Sequence, residues 1–433
     1  MKSISDVTAC FIDHGTFLPL ALKLAESYGR VLYHTPCEQG FMKVEDCVIG
    51  DGFREQNVER CDDIWKVLKD VDLFIFPDIH HSGLQKHLKE LGHAVWGSQG
   101  GDVLEMQREM FHRKLDELEM DVPVYEVVVG ITTLREHLRD KEDKIIKISK
   151  YRGSLETCKW SNWTQDNDLL DEWALQFGAV KELVRFLVFD KIETDIELGC
   201  DTFCVDGRWP DNMIQGYENK DQGFFSAVRK RGEMPGQVKE VLDKFGPELA
   251  AYGYRNSFSM EIRVKGDKSY FIDPCCRFPM PPTSSKMELW RNLPDIIWRG
   301  AQGDMVEPEP MAKFAAECVL SMKVDKDRWA TVEVPDKLKQ WMKVFNCCQV
   351  DGALSIPPNE FRGSEIGWLV AIGDTMEETI ENLKAQVELL PPGVTAHMEA
   401  LPGLIAEIQE AESQGMEFTD QKVPEPETAL MEK

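Results

Sequence analysis

Short strand-like runs alternate with helical ones through the first hundred residues, and this order restricts the amino-terminal part to a parallel α/β layer. Val7 to Ile12, Arg30 to Tyr33, Val71 to Phe76 and Ala94 to Trp96 read as strands, with helices over Leu18 to Tyr28 and Leu84 to Leu91. Parallel strands need crossover connections, and helices of this length supply them. In such a layer ligands collect beyond the carboxyl ends of the strands. The loop Pro77 to Gly83, which carries Asp78, His80, His81 and Ser82, falls on that edge.

Farther along, apolar positions recur at helical spacing from Val103 to Leu118, and Val122-Pro123 opens a strand-rich stretch. Lys144 to Ser149, Arg185 to Phe189 and Thr202 to Val205 read as strands, Asp168 to Glu182 and Gln237 to Tyr252 as helices. Ser257 to Val264 and Ser269 to Asp273 alternate in polarity around Lys265-Gly266-Asp267-Lys268, a hairpin signal. Strands near Ala315 to Met322 and Gly367 to Ile372 follow, and Thr375 to Glu378 has the capping-box pattern of a helix running toward Leu389. The expected partition is an amino-terminal α/β domain over 1–98, a central domain over 99–325 with a lid at about 122–200, an α/β appendage over 326–415 and a mobile tail over 416–433.

With 50 Lys and Arg against 76 Asp and Glu, the 433-residue chain carries a net charge of −26. Such a surface repels nucleic acid and anionic lipid, so phosphate recognition is confined to a small cationic pocket. Twelve scattered cysteines, two pairs of them vicinal at Cys275-Cys276 and Cys347-Cys348, form neither a secreted disulfide framework nor a CxxC metal pattern. The start of the sequence lacks a charged leader with a long apolar stretch, and no apolar run is long enough to span a bilayer. A cytoplasmic protein with reduced thiols is the expectation.

Two constellations carry chemistry. Glu261 and Asp273 lie on the two strands of the hairpin, and paired carboxylates suit a hard cation such as Mg²⁺ that in turn holds a polyphosphate. Arg277, four residues beyond Asp273, offers a guanidinium to the same phosphate. Lys147 lies within the apolar run Ile145 to Ile148, ahead of Gly153 and Ser154. A lysine there points either to water or into a cleft, where it becomes a compact cation for a nucleotide phosphate. Neither a Walker A sequence nor GxGxxG occurs at a strand-to-helix junction. His80 and His81 lack a third ligand at zinc spacing.

In order and spacing these motifs resemble the ATP-grasp superfamily, especially its phosphoribosylamine-glycine ligase branch. His93 to Ser98 with the helix through Lys114 to Val122-Pro123 is similar to the "G-hydrophobic-GPS … K … IP" segment. Lys144 to Ser149 resembles the "VIK" strand, Phe189 to Ile192 through Glu197 to Gly207 the "EEFL-dGxE … VDG" segment, and Phe271 to Arg277 the "E-x-N-x-R" signature. The likeness covers most of residues 1 to about 400. It implies an ATP-grasp fold of mixed α/β and α+β class, and an ATP-dependent carboxylate-amine ligase working through an acyl phosphate. Lys114 and Lys147, with Gly153 and Ser154, would contact ATP phosphates. The Asp190, Lys191 and Ile192 segment would meet adenine, through the backbone at Lys191 and Ile192, and Glu197 the ribose. Glu261 and Asp273 would hold Mg²⁺, and Arg277 would stabilise the transferred phosphoryl group.

Departures from the family pattern are specific. Cys275 stands at a metal-ligand Asn position, and thiol is a poor partner for Mg²⁺. Asp273 replaces a longer Glu, and the glycine-rich lid is reduced to Tyr151 to Glu156. An inactive binding or assembly protein of the same fold is therefore the alternative. The Gly-Gly-Arg-Glu-His run of the ligase reads His14 to Leu20 here, which argues against phosphoribosylamine and leaves Asp78, His80 and Ser82 as candidate contacts to another small carboxylate or amine. A homodimer is compatible with the sequence.

Overall fold

The computed structural model describes residues 2–36, 43–150, 157–193, 196–220, 222–325, 327–358 and 365–431. The chain divides into two compact units, one formed by 1–100, 198–259 and 275–433, the other by 101–197 and 260–274. These limits cut the sequence differently from the expected breaks at 98, 325 and 415. The limits after 197, 259 and 274 fall within strands, so the cores do not follow linear segments. Each unit is described by itself.

The larger unit begins with the predicted parallel layer. Strands β1 (Thr8–Ile12), β2 (Arg30–His34), β3 (Val58–Arg60), β4 (Leu73–Ile75) and β5 (Ala94–Trp96) form one sheet in the order β3-β2-β1-β4-β5. All four pairings are parallel, with Cys10 opposite both Leu32 and Phe74. Helices α1 (Leu18–Ala25), α2 (Ile64–Val67) and α3 (Ser82–Glu90) connect β1 to β2, β3 to β4 and β4 to β5. Cys10, Ile12, Leu32, Phe74, Phe76, Leu88 and Val95 fill one face of the layer. Helix α1 stops at Ala25, short of the expected Tyr28, whose ring is buried and whose hydroxyl donates to the Pro294 carbonyl.

The smaller unit holds α4 (Val103–Met106), α5 (Arg108–Glu117), β6 (Tyr125–Val129), α6 (Ile131–Leu138), β7 (Lys144–Ile148), β8 (Thr157–Trp160), α7 (Trp163–Phe177) and β9 (Arg185–Asp190). The expected helix over 103–118 is broken at Gln107, whose φ of −122° and ψ of 78° are not helical. Helix α7 starts earlier than expected because the Asn162 side chain caps it, accepting from the Gln165 amide at 3.1 Å. Strands β6-β9-β7-β8 form an antiparallel sheet. Ile146 and Ile148 enter its core with Leu134, Leu138, Leu170, Trp173 and Phe186, and the Trp173 and Phe186 rings stack at 5.6 Å. Period-2 alternation then turns Lys147 to the opposite face.

The rest of the chain contributes β10 (Ile196–Val205), β11 (Asn212–Asn219), β12 (Gly223–Lys230), α8 (Gly236–Tyr252), β13 (Arg255–Lys265), β14 (Lys268–Cys275), α9 (Thr283–Leu289), α10 (Leu293–Ala301) and β15 (Phe314–Met322). Beyond these lie β16 (Ala330–Val332), β17 (Met342–Val344), β18 (Cys348–Val350), β19 (Ala353–Ile356), β20 (Glu365–Gly373), α11 (Met376–Val387), β21 (Val394–Ala396) and α12 (Ala400–Ser413). The hairpin β13-β14 forms as predicted, with Gly266 at φ +58° in its turn. The expected appendage is only partly separate: β20 pairs along β15 and β17 along β20 within the sheet that contains β10 to β15, while β16, β19 and β18 form a sheet of their own.

The stretch expected to be a mobile tail is anchored. Phe418 is fully buried in the larger unit, with its ring 5.5 Å from Tyr217 and 6.4 Å from both Phe225 and Phe314. A single aromatic residue gives no periodicity to read, which is why the sequence pattern missed it. Thr375 caps α11 by accepting from the Glu378 amide at 3.0 Å. Among the described residues, no helix is long and apolar enough to cross a membrane. Cys347 and Cys348 are buried and unbridged.

Candidate functional site

Asp273 is the centre of a charge cluster in the smaller unit. Its Oδ2 accepts a hydrogen bond from Lys147 Nζ, and Arg108 Nε lies 4.0 Å from Oδ1. Lys147 is buried, so the reading in which it points to water is excluded. Arg108 is buried as well, held by its own amide bonding to the Ser149 carbonyl at 3.1 Å and its guanidinium to the Ile148 carbonyl at 2.9 Å. Burial pushes the Asp273 carboxyl up, but the Lys147 and Arg108 cations outweigh it and hold Asp273 below the usual aspartate range.

His112 completes the wall beside these groups. Its ring packs 4.9 Å from Phe189 and 5.2 Å from Tyr125, and Nδ1 has no hydrogen-bond partner among the described residues. Burial, followed by the Lys147 charge, lowers its pKa to about 4. The imidazole is thus neutral at ordinary pH.

Glu261 stands next to Asp273 in charge space. Its side chain keeps 37% of its solvent exposure, yet the surrounding protein desolvates it and the Glu197 and Asp273 carboxylates repel its charge, raising its pKa to about 7. Arg263 lies 3.4 Å from Glu261 and 2.9 Å from Glu197. Alternation along β13 buries Met260, Ile262 and Val264 and puts Glu261 with Arg263 on the other face.

These donors fit a hard dication. Glu261 and Asp273 offer carboxylate oxygens, and an elevated glutamate beside two other acids marks negative charge that a divalent ion would relieve. Among the described residues no three His, Cys, Asp or Glu side chains converge as a metal site. Magnesium needs fewer, since it is commonly held by one or two carboxylates together with substrate phosphates. In the larger unit, the Cys275 thiol donates to the Arg277 carbonyl at 3.9 Å.

The other expected residues are placed as follows. Lys114 lies off the buried stripe of α5 and pairs with Glu117 at 2.7 Å. Arg108, not singled out in the sequence, stands beside Asp273. It occupies the stripe Arg108, Phe111, His112, Leu115, and a charged residue at i of an apolar i, i+3, i+4, i+7 set was the signal available in the sequence. Asp190 pairs with Lys144 at 2.5 Å, and the Lys191 amide already donates to the Asp143 carbonyl at 3.2 Å. The adenine contact expected of that amide would have to displace this bond; Ile192 follows it in the same irregular segment. Gly153 and Ser154 lie outside the described residues.

In the larger unit, Arg277 Nε is 3.4 Å from Asp78 Oδ1, which also accepts from the Ile79 amide at 2.8 Å. His80 and His81 both have positive φ, 75° and 40°, a strained pairing for non-glycine residues, and Ser82 opens α3. The His81 ring lies 5.8 Å from His14. Burial and the neighbouring imidazoles lower the His81 pKa.

Parallel layer, hairpin-bearing antiparallel sheet and four-stranded lobe together define the fold of the ATP-grasp enzymes. Among solved structures, the chain is similar to phosphoribosylamine–glycine ligase from Thermotoga maritima, with a TM-score of 0.67 and 17% identity, over 90% of this chain and 99% of that one. It is also similar to a biotin carboxylase–βγ-ATP complex from Campylobacter jejuni (TM-score 0.64, 12% identity, 93% and 97% covered) and to L-amino acid ligase from Bacillus licheniformis (0.58, 12%, 89% and 98%). No protein-family model and no curated protein sequence matches the chain, so the likeness is one of fold.

Proposed function

We propose that the protein is an ATP-dependent carboxylate-amine ligase. The observation that carries this reading is the convergence of Lys147 and Arg108 on Asp273, with Glu261 alongside. Two buried cations and two carboxylates in one place suit a magnesium-bound polyphosphate, and a chain with net charge −26 keeps such cations for a purpose. Structural neighbours include a ligase for phosphoribosylamine and glycine and an L-amino acid ligase.

In this reading Lys147 and Arg108 bind phosphate oxygens, Glu261 and Asp273 hold Mg²⁺, and Glu197 and the Lys191-Ile192 backbone face the nucleoside. Magnesium supplies neutralisation of the charge that spreads over the transferred phosphoryl oxygens. A carboxylate oxygen of the substrate attacks the γ-phosphorus as the bond to ADP breaks. The amine nitrogen then attacks the acyl carbon, inorganic phosphate leaves and the amide forms. Arg277 is assigned to the phosphoryl group by family likeness. Asp78, His80 and Ser82 are candidate acceptor contacts.

The test is to incubate the protein with ATP, Mg²⁺ and pooled carboxylates and amines. Carboxylate-dependent ADP release is the expected result. Absence of nucleotide binding at millimolar concentration would refute the reading.

A second reading, a binding protein that no longer turns over, is favoured by one observation: Asp273 is already occupied by Lys147, and Cys275 offers sulfur where a hard oxygen ligand is expected. A biological role untouched by Glu261→Gln and Asp273→Asn would select it.

A further inference from the structure

Ser321, His397 and Glu399 form a hydrogen-bonded chain in the larger unit, and none of them belongs to the Lys147–Asp273 cluster. Ser321 Oγ lies 2.7 Å from His397 Nε2, and His397 Nδ1 lies 2.6 Å from Glu399 Oε1. Burial pushes the Glu399 carboxyl up, but its own amide and the His397 ring outweigh this and hold it below the usual glutamate range, so it stays ionised. A carboxylate only accepts hydrogen bonds, so Nδ1 carries the proton of the neutral ring and Nε2 is left to accept from the serine hydroxyl. Nucleophile, base and orienting acid thus stand in the order that general-base activation of a hydroxyl requires.

The sheet fixes this geometry. Ser321 lies on β15 between β20 and β21, opposite Glu365 on one side and Thr395 on the other. The pairing with β20 shifts register between Leu320 and Ser321, an irregularity of the kind that re-aims a side chain. His397 directly follows β21, and its amide donates to the Val319 carbonyl at 3.0 Å. Thr395 Oγ1 donates to the Ser321 carbonyl at 3.3 Å. Ring and hydroxyl are therefore both tied to one strand, which holds a reacting pair more tightly than loops do. The His397 side chain keeps 33% of its exposure and Ser321 is half-buried, so the pair is open to a small molecule from solvent.

We propose that Ser321 and His397 are a second catalytic pair, positioned by Glu399, that cleaves small carboxylic esters. Oγ attacks the ester carbonyl carbon while its proton passes to His397 Nε2. The bond from that carbon to the alkoxide oxygen breaks and the leaving oxygen takes the proton, which yields an O-acyl serine and an alcohol. Water then attacks the acyl carbon and gives a proton to Nε2; the carboxylic acid leaves, and Oγ recovers the proton. The inference does not depend on the ligase reading.

Two measurements on the full chain test it. One is hydrolysis of p-nitrophenyl acetate. The other is labelling by diisopropyl fluorophosphate, which forms an oxygen–phosphorus bond and releases fluoride, with the modified residue located by peptide mass mapping. Saturable hydrolysis without ATP, and a label on Ser321, are the expected results. Ser321→Ala should abolish both. His397→Ala should slow both by about a hundredfold or more, and added imidazole should restore part of the rate. Glu399→Gln, which keeps the shape and removes the charge, should lower kcat at least about tenfold with KM unchanged, while Glu399→Asp should retain more of it. No label on Ser321, hydrolysis unchanged in Ser321→Ala, or rates unchanged in His397→Ala and Glu399→Gln would overturn the proposal.

Discussion

Lys147 donates to Asp273 across 126 positions of sequence, joining the central strand pair β7-β9 of the small lobe to the end of the β13-β14 hairpin. The bond places a cation and a carboxylate where neither is free to drift. Phosphate binding would exchange part of this internal pairing for contacts to the ligand.

Lys147→Met should therefore weaken ATP binding in the presence of Mg²⁺ by at least about tenfold, close to 1.4 kcal/mol. Arg108→Met should do the same. Lys114→Met, at the Glu117-paired position, should leave affinity within about a factor of two. Equilibrium dialysis with labelled nucleotide measures all three.

Nucleotide binding with Mg²⁺ should depend on pH through Glu261. Its folded-state pKa lies near 7, above the ordinary 4.5, so lowering the pH through 7 protonates a metal ligand that is ionised above it. Affinity for the magnesium–nucleotide complex should fall as pH drops through that range. Glu261→Gln should bind weakly at every pH and lose the dependence. Titrations across the range in constant free Mg²⁺ check this.

Glu317 predicts a stability effect in the larger unit. It is fully buried, with Oε2 accepting from the Ser285 amide at 2.7 Å and hydroxyl at 3.1 Å. Burial, with repulsion from Asp201, raises its pKa to about 8 against the Ser285 bonds and the Lys286 cation. Between 4.5 and 8 the folded chain keeps this proton and the unfolded chain loses it. Stability should fall with rising pH across that window by up to about 1.4 kcal/mol per unit, and Glu317→Gln should flatten the slope. Urea denaturation at several pH values gives the answer.

Phe418→Ala should destabilise the larger unit by about 3–5 kcal/mol, because it empties an aromatic site rather than trimming a loose end. Thermal or chemical denaturation of that variant is the check.

The parts legible in the sequence were those with a local signature. Alternation exposed the parallel layer, Gly266-Asp267 the hairpin, and the apolar neighbours of Lys147 its strand. Arg108 was hidden because its meaning depends on the break at Gln107 and on Asp273, more than 150 positions later. A helix read as continuous from 103 to 118 draws attention to Lys114 instead. Phe418 was hidden for a related reason: its partners Tyr217, Phe225 and Phe314 come from strands far upstream. The joining of β17 and β20 to β15 likewise rests on non-local pairing that no short window contains.

The central claim is most directly tested by trapping the activated carboxylate. The protein, ATP, Mg²⁺, a carboxylate pool and hydroxylamine should yield ADP and an acyl hydroxamate in equal amounts, with both lost in Lys147→Met. ATP that binds without forming either product under any carboxylate, with Lys147→Met binding it equally well, would contradict the account.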